Sequence, residues 1–280
     1  MNGITEWELD ADEELIVKPA YANINTKYPL VALTRIRNEA DLIVDTLDHV
    51  SKFADAIIVY DDASDDGTFD MAWAHTGVVG IIRNHKWRNS IEERLLSETR
   101  HRGLLLTMAK RYFAGQWYFC FDADERYVGD IRSFVRSSWA ARLSSVRIRL
   151  FDAYITGADS EPYIQGNSLL NFRKFFGPEY RDIRMLWKGG DDDHYTGLDS
   201  REPIVPGPED VLFYCQHYGK SLSIQHWNAT CEYYVKYFPY EPYGRKWQAR
   251  MGKAIHDRSD FDAPLYAWGG DLFGNARPMI

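Results

Sequence analysis

The sequence predicts an α/β fold: a mostly parallel central sheet with helices on both faces and an aromatic-rich helical extension at the C-terminus. Three observations predict it. Short apolar runs alternate with helical segments between residues 28 and 121, which is the pattern of βαβ units. The segments that follow the apolar runs are polar (TRIRNE, DDASDD, DADE), and in such sheets ligands bind outside the carboxyl ends of the strands. The chain has 280 residues, 45% of them hydrophobic, enough for one large domain with a full core.

The elements follow in order. Residues 1–27 read as an acidic arm with weak order signals. PLVALTRI (29–36) is a buried strand, introduced by Pro and rich in aliphatics. NEADLIVDTLDHVSKF (38–53) is a helix, because Ile43, Leu47 and Val50 fall on one face. AIIVY (56–60) is a second strand, DDASDDGT (61–68) has turn composition, and FDMAWAH (69–75) starts a helix. GVVGIIR (77–83) is a third strand. A long helix over about 91–113 follows, with Leu105, Met108, Ala109 and Tyr112 on one side. QWYFCF (116–121) is a fourth strand and runs directly into DADER. Later signals are weaker. SSVRIRLF (144–151) alternates as a strand, LLNFRKFF (169–176) reads as another, and 187–210 is loop-like. The tail from Tyr218 has helical patches broken by prolines. No internal repeat is present.

Composition excludes several classes. The formal net charge of −8 argues against a general duplex-DNA binder, which would show a basic balance. An acidic protein can still bind an anionic substrate through a divalent cation. Three cysteines, Cys120, Cys215 and Cys231, form no CxxC pair, so neither a disulfide framework nor a structural zinc is expected. The N-terminal run MNGITEWELDADEELIV resembles neither a signal peptide nor a membrane span. A cytoplasmic location follows as the expectation. The Tyr- and Trp-rich tail leaves a peripheral membrane contact open.

The polar segments carry the chemistry. Asp122 and Asp124 flank Ala123 directly after an apolar strand. Two carboxylates one residue apart can serve one site, and hard oxygen ligands suit Mg²⁺ or Mn²⁺. Such an ion can bridge a diphosphate. Asp62 lies in the cluster that follows the second strand, where an acidic residue can accept from a nucleobase or ribose. Asp65, Asp66, Gly67 and Thr68 read as turn and cap residues. After the first strand come Thr34, Arg35, Arg37, Asn38 and Glu39. Backbone amides opening the next helix favour phosphate there, with Arg37 adding charge. Asn38 is equally read as a helix N-cap.

Taken together, strand–TRIRNEA, strand–DDASDDGT, ETRHRGL and WYFCFDADE resemble a family 2 type glycosyltransferase of the GT-A fold, a Rossmann-like architecture. The resemblance covers about residues 28–135. It implies a GT-A domain over 28–217, with a nucleotide-sugar half (28–135) and an acceptor half (136–217), followed by an extension over 218–280. It implies that Thr34, Asp62 and Arg100 contact the nucleotide, that Asp124 is the main metal ligand with Asp122 beside it, and that a histidine, His217 ahead of His226, completes the metal set. The implied donor is a nucleotide-diphosphate sugar. The implied acceptor is a hydroxyl of a glycan or other molecule, in polysaccharide biosynthesis by family frequency. Inverting hexosyl or pentosyl transfer needs a carboxylate base. The family places it in a window that here holds Asp182 and Asp191-Asp192-Asp193-His194, and one of Asp191, Asp192 and Asp193 is expected to serve. Trp187 reads as a sugar-stacking or a core residue. Two other classes compete: a nucleotidyltransferase, disfavoured because TRIRNEA lacks glycine, and a non-catalytic carbohydrate- or nucleotide-binding relative, disfavoured by intact Asp62, Arg100, Asp122 and Asp124.

Overall fold

The computed structural model describes residues 7–21 and 27–279. It is a mixed α/β fold around a sheet of mostly parallel strands flanked by helices. The first half supplies the strands β1 (Glu13–Val17), β2 (Tyr28–Ile36), β3 (Ala56–Asp62), β4 (Val78–Asn84), β5 (Gly115–Phe121) and β6 (Glu125–Val128). The second half adds β7 (Ser145–Ala153), β8 (Phe176–Lys188), β9 (Glu209–His217) and the short β10 (Arg277–Pro278). Among the described residues they form one ten-stranded sheet in the order β1-β4-β3-β2-β5-β8-β7-β9-β6, with β10 beside β8. Strands β4, β3, β2 and β5 are parallel, whereas β8 joins β5 antiparallel.

Strand alternation builds a core on each face. In β2, Leu30 and Ala32 pack with Ile43, Leu47 and Val50 of α1 (Ile43–Ser51). Val31 and Leu33 point the other way, onto Leu104, Leu105, Met108 and Ala109 of α3 (Ile91–Tyr112). The α3 start is written in SIEE: Ser90 accepts from the Glu93 amide while Glu93 reaches back to the Ser90 amide, which satisfies orphan donors at the helix end. On the first face, α2 (Thr68–Ala74) and α4 (Ile131–Val135) complete the layer.

Several expectations are corrected. The described part of the 1–27 arm is not irregular. EELIV forms β1 and pairs antiparallel with β4, because Glu13 is buried by Tyr60 and Arg100, which donate to its carboxylate. The rest of that expectation, residues 1–6 and 22–26, lies outside the described residues. The first helix starts at Ile43 rather than 38, and Asn38 is not its N-cap: Asn38 holds a left-handed φ of 54°. Residues 169–175 are irregular apart from a turn at 170–171, and β8 begins only at Phe176. The expected loop over 187–210 is shortened at both ends by β8 and β9.

The tail is tied to the main sheet. α5 (Ile224–Tyr237) and α6 (Arg245–Gln248) enclose Trp227, Cys231 and Ala254 against Trp247. Further on, Trp268 and Phe273 pack on Phe151, Phe176 and Tyr214, and β10 pairs parallel with β8. All three cysteines are free and buried. Among the described residues no helix is long and apolar enough to cross a membrane.

Candidate active site

The loops after β2, β3 and β5 meet at one side of the sheet. The first two are stitched together. The Asn38 side chain donates to Asp65 Oδ1 at 2.9 Å while its own Oδ1 accepts from the Asp65 amide at 3.0 Å. The Glu39 amide donates to Thr68 Oγ1 at 2.7 Å, and the Ala40 amide to Asp66 Oδ2 at 3.1 Å. Gly67 takes φ 93°, open to glycine without steric cost. Asp65, Asp66, Gly67 and Thr68 therefore act on the backbone, as their turn composition indicates.

A cleft of about 950 Å³ lies beside these loops. It is lined by Arg35, Arg37, Asn38, Glu39, Asp122, Ala123, Asp124, His217 and His226, and by side chains of α5 and α6. Asp122 receives Arg102 Nη2 at 3.0 Å and Arg201 Nη1 at 3.0 Å. Burial alone would raise its pKa, but Arg201 and Arg102 outweigh this and hold the carboxyl well below the usual range. Glu125 is 2% exposed and accepts both oxygens' worth of contact from Arg201 Nη2 at 2.7 and 2.8 Å.

Asp124 faces His217, with Oδ2 and Nε2 3.4 Å apart. On the other side of the ring, Nδ1 lies 2.5 Å from Asp152 Oδ1. Burial would lower the His217 pKa, yet Asp124 and Asp152 push it up to about 10. Lys220 Nζ sits 2.8 Å from Asp152 Oδ2 and helps fix the carboxylate. Gly219 closes in behind: a Cβ there would stand 2.5 Å from Asp124 Oδ2 and 3.0 Å from His217 Nε2.

These groups fit a divalent cation. An oxygen and a nitrogen 3.4 Å apart can share one ion at metal–ligand distances of ~2.0–2.2 Å. Asp152 on Nδ1 would then be the outer partner that leaves Nε2 to ligate. Among the described residues no group of three or more His, Cys, Asp or Glu is arranged to hold a metal. Hard cations that bind through one or two carboxylates leave their other positions to water and substrate phosphates.

The structure scatters the remaining sequence-derived residues. Asp62 is 1% exposed and does not line the large cleft. It accepts from Arg94 at 2.9 Å and Asn84 at 3.1 Å. With Arg100 it lines a neighbouring chamber of about 100 Å³, and Arg94 borders both spaces. Arg100 is occupied by Glu13. Thr34 is fully buried within β2 and lines neither space. Arg37 donates to the Asp62 carbonyl at 2.6 Å and lies 4.0 Å over the Trp87 ring.

The expected base does not reach the cleft. Asp193 is buried, where it receives Lys110 and, at 2.8 Å, the Trp187 indole N–H. Trp187 is accordingly a core residue, 0% exposed. Asp191 and Asp192 are exposed on the connection after β8 and, like His194 and Asp182, do not line the cleft. Sequence reasoning passed over Arg102, Arg201, Asp152 and Lys220. Arg102 sits two residues past Arg100 in ETRHRGL and Lys220 just past His217, so both carried a local signal. Asp152 and Arg201 carried none.

No protein-family model matches the sequence, and no curated protein matches it. Among solved structures, the chain is similar to a mannosyltransferase from Pyrobaculum calidifontis in complex with GDP-Man and Mn²⁺. The identity is 16%, over 81% of this chain and 70% of that chain, with a TM-score of 0.38.

Proposed function

We propose that the protein is a metal-dependent glycosyltransferase of the GT-A type, moving a sugar with inversion from a nucleotide-diphosphate sugar to an acceptor hydroxyl. One observation carries the reading: Asp122 and Asp124 from the turn after β5, and His217 from the end of β9, converge with the loop after β2 in one large cleft. Asp124 and His217 would hold Mn²⁺ or Mg²⁺, which would supply positive charge for the donor's diphosphate.

The chain's own residues do the rest. Arg37 meets no carboxylate within ion-pair range among the described residues, and its charge is offered to the diphosphate as it departs. The chamber beside Asp62 and Arg94 takes the base or ribose, with Arg94 as the wall shared with the main cleft. Asp122 holds Arg102 and Arg201 in place.

The base is Glu39. It lines the cleft, and its carboxylate has no hydrogen-bond or ion-pair partner among the described residues, unlike the other cleft carboxylates. Burial first, then Asp124 and Asp122, raise its pKa well above the usual value. A carboxyl tuned upward is suited to accept the acceptor's hydroxyl proton near neutral pH.

The test is a thermal-stability panel of nucleoside diphosphates and nucleotide sugars, each with Mn²⁺ and with EDTA. A ligand that binds only the native state must raise its stability. A Mn²⁺-dependent rise with one nucleotide and its sugar supports the reading. No rise with any of them removes it in favour of a non-catalytic relative.

A further inference from the structure

We propose that the end of the cleft beyond His217 is an oxyanion subsite, built on Lys246, Arg250, Lys220 and Arg181, that receives a phosphate- or carboxylate-bearing acceptor sugar. The proposal rests on the glycosyltransferase reading only in assigning the anion to the acceptor. His217 separates two regions: Nε2 turns to Asp124 and Nδ1 to Asp152. On the Asp152 side, cations outnumber carboxylates. Lys220 Nζ lies 2.8 Å from Asp152 and 2.5 Å from Asp260. Arg250 reaches the same Asp260 oxygen at 2.6 Å, and Arg181 reaches Asp152 at 3.1 Å.

Two carboxylates thus serve three cations and the His217 ring. Lys246 lines the same cleft and has no carboxylate within ion-pair range among the described residues. Partial desolvation in the cleft and then the nearby Arg250, Lys220 and Arg181 lower its pKa, outweighing Asp260, which raises it. The contrast with the whole molecule is sharp. The chain carries −8 overall, yet nine arginines and lysines face eight aspartates and glutamates along the cleft. A concave wall with surplus like charge concentrates counter-ions.

An aromatic platform adjoins the cations. Trp247 stacks on Tyr234 with centroids 4.6 Å apart and planes within 6°, and Arg250 lies 5.2 Å from the Trp247 ring. A ring with an apolar face and one anionic substituent matches both features. The same oxyanion chemistry is offered by the donor's diphosphate, so the test separates the two sources.

Calorimetric titrations of inorganic phosphate, glucose 6-phosphate and glucose would be run on the wild type and on Lys246→Glu with Mn²⁺. They would be repeated after addition of each nucleoside diphosphate. Lys246 is exposed, so the variant keeps its fold, which circular dichroism checks. The expected result is phosphate and glucose 6-phosphate binding that weakens at least tenfold in Lys246→Glu, with glucose silent and nucleoside diphosphate affinity unchanged. Weakened nucleoside diphosphate binding in the variant would overturn the acceptor assignment. Equal binding of the phosphate probes to both proteins, or none to the wild type, would overturn the subsite. If phosphate probes bind through Lys246 while no nucleoside diphosphate binds at all, the subsite stands and the glycosyltransferase reading falls.

Discussion

Gly219 and His217 show how much turns on single residues. The space behind Asp124 and His217 exists because residue 219 has no side chain. Gly219→Ala is expected to lower Mn²⁺ affinity at least tenfold while leaving the thermal midpoint of the metal-free protein nearly unchanged; electron paramagnetic resonance titration of Mn²⁺ measures the first and calorimetry the second. Removing the outer partner in Asp152→Asn is expected to weaken Mn²⁺ by about 10- to 100-fold. His217 also sets a pH dependence. Its pKa is raised from 6.5 to about 10, so the stabilisation from its charge is complete below about pH 6.5 and is lost as pH rises toward 10. Ligation replaces that proton, so Mn²⁺ affinity is expected to rise with pH over the same range. His217→Gln should flatten both slopes, and urea unfolding at stepped pH would read the first of them. Glu39→Gln is expected to abolish transfer while nucleotide binding persists; normal transfer by this variant would remove Glu39 as the base.

At the scale of elements, the structure separates strands that stabilise from strands that present chemistry. β1 adds an edge, and its Glu13 ties Tyr60 of β3 and Arg100 of α3 to it. Glu13→Ala leaves a buried hydroxyl and a guanidinium without their acceptor, at an expected cost of about 3 kcal/mol in urea unfolding. Asp193→Asn should cost about 2 kcal/mol, since it weakens the Lys110 and Trp187 contacts. Asp191→Asn and Asp192→Asn should stay within about 0.5 kcal/mol, as exposed positions do. The parallel half of the sheet was legible in the sequence because each of its strands is an unbroken apolar run. β6, the reach of β8 and the pairing of β9 were not, because β6 is only four residues long, β8 and β9 are partly exposed, and all three owe their pairing to distant segments. The acidic motif after β5 was legible for its position at a strand end. The placement of DDDH outside the cleft was not: it has the composition of a site but lies on a connection where Asp193 turns toward Lys110, and no local pattern reveals that.

Across the whole molecule, the tail is part of the fold's support. Trp268 and Phe273 cover Phe151, Phe176 and Tyr214, and β10 closes on β8. Deleting residues 263–280 is therefore expected to yield protein that binds hydrophobic dye and lacks a cooperative melt, whereas a tail that were a separate unit would leave the remainder folded. The 218–280 extension also supplies the aromatic and cationic wall of the cleft, so its loss removes one side of the site as well.

The paired loops after β2 and β3 have a consequence for engineering. Asn38 grips Asp65, Glu39 leans on Thr68, and Ala40 on Asp66, so RNEA and SDDGT behave as one interlocking cassette. A chimaera that imports either segment alone would inherit half of a handshake, and specificity swaps in this scaffold should move the two together.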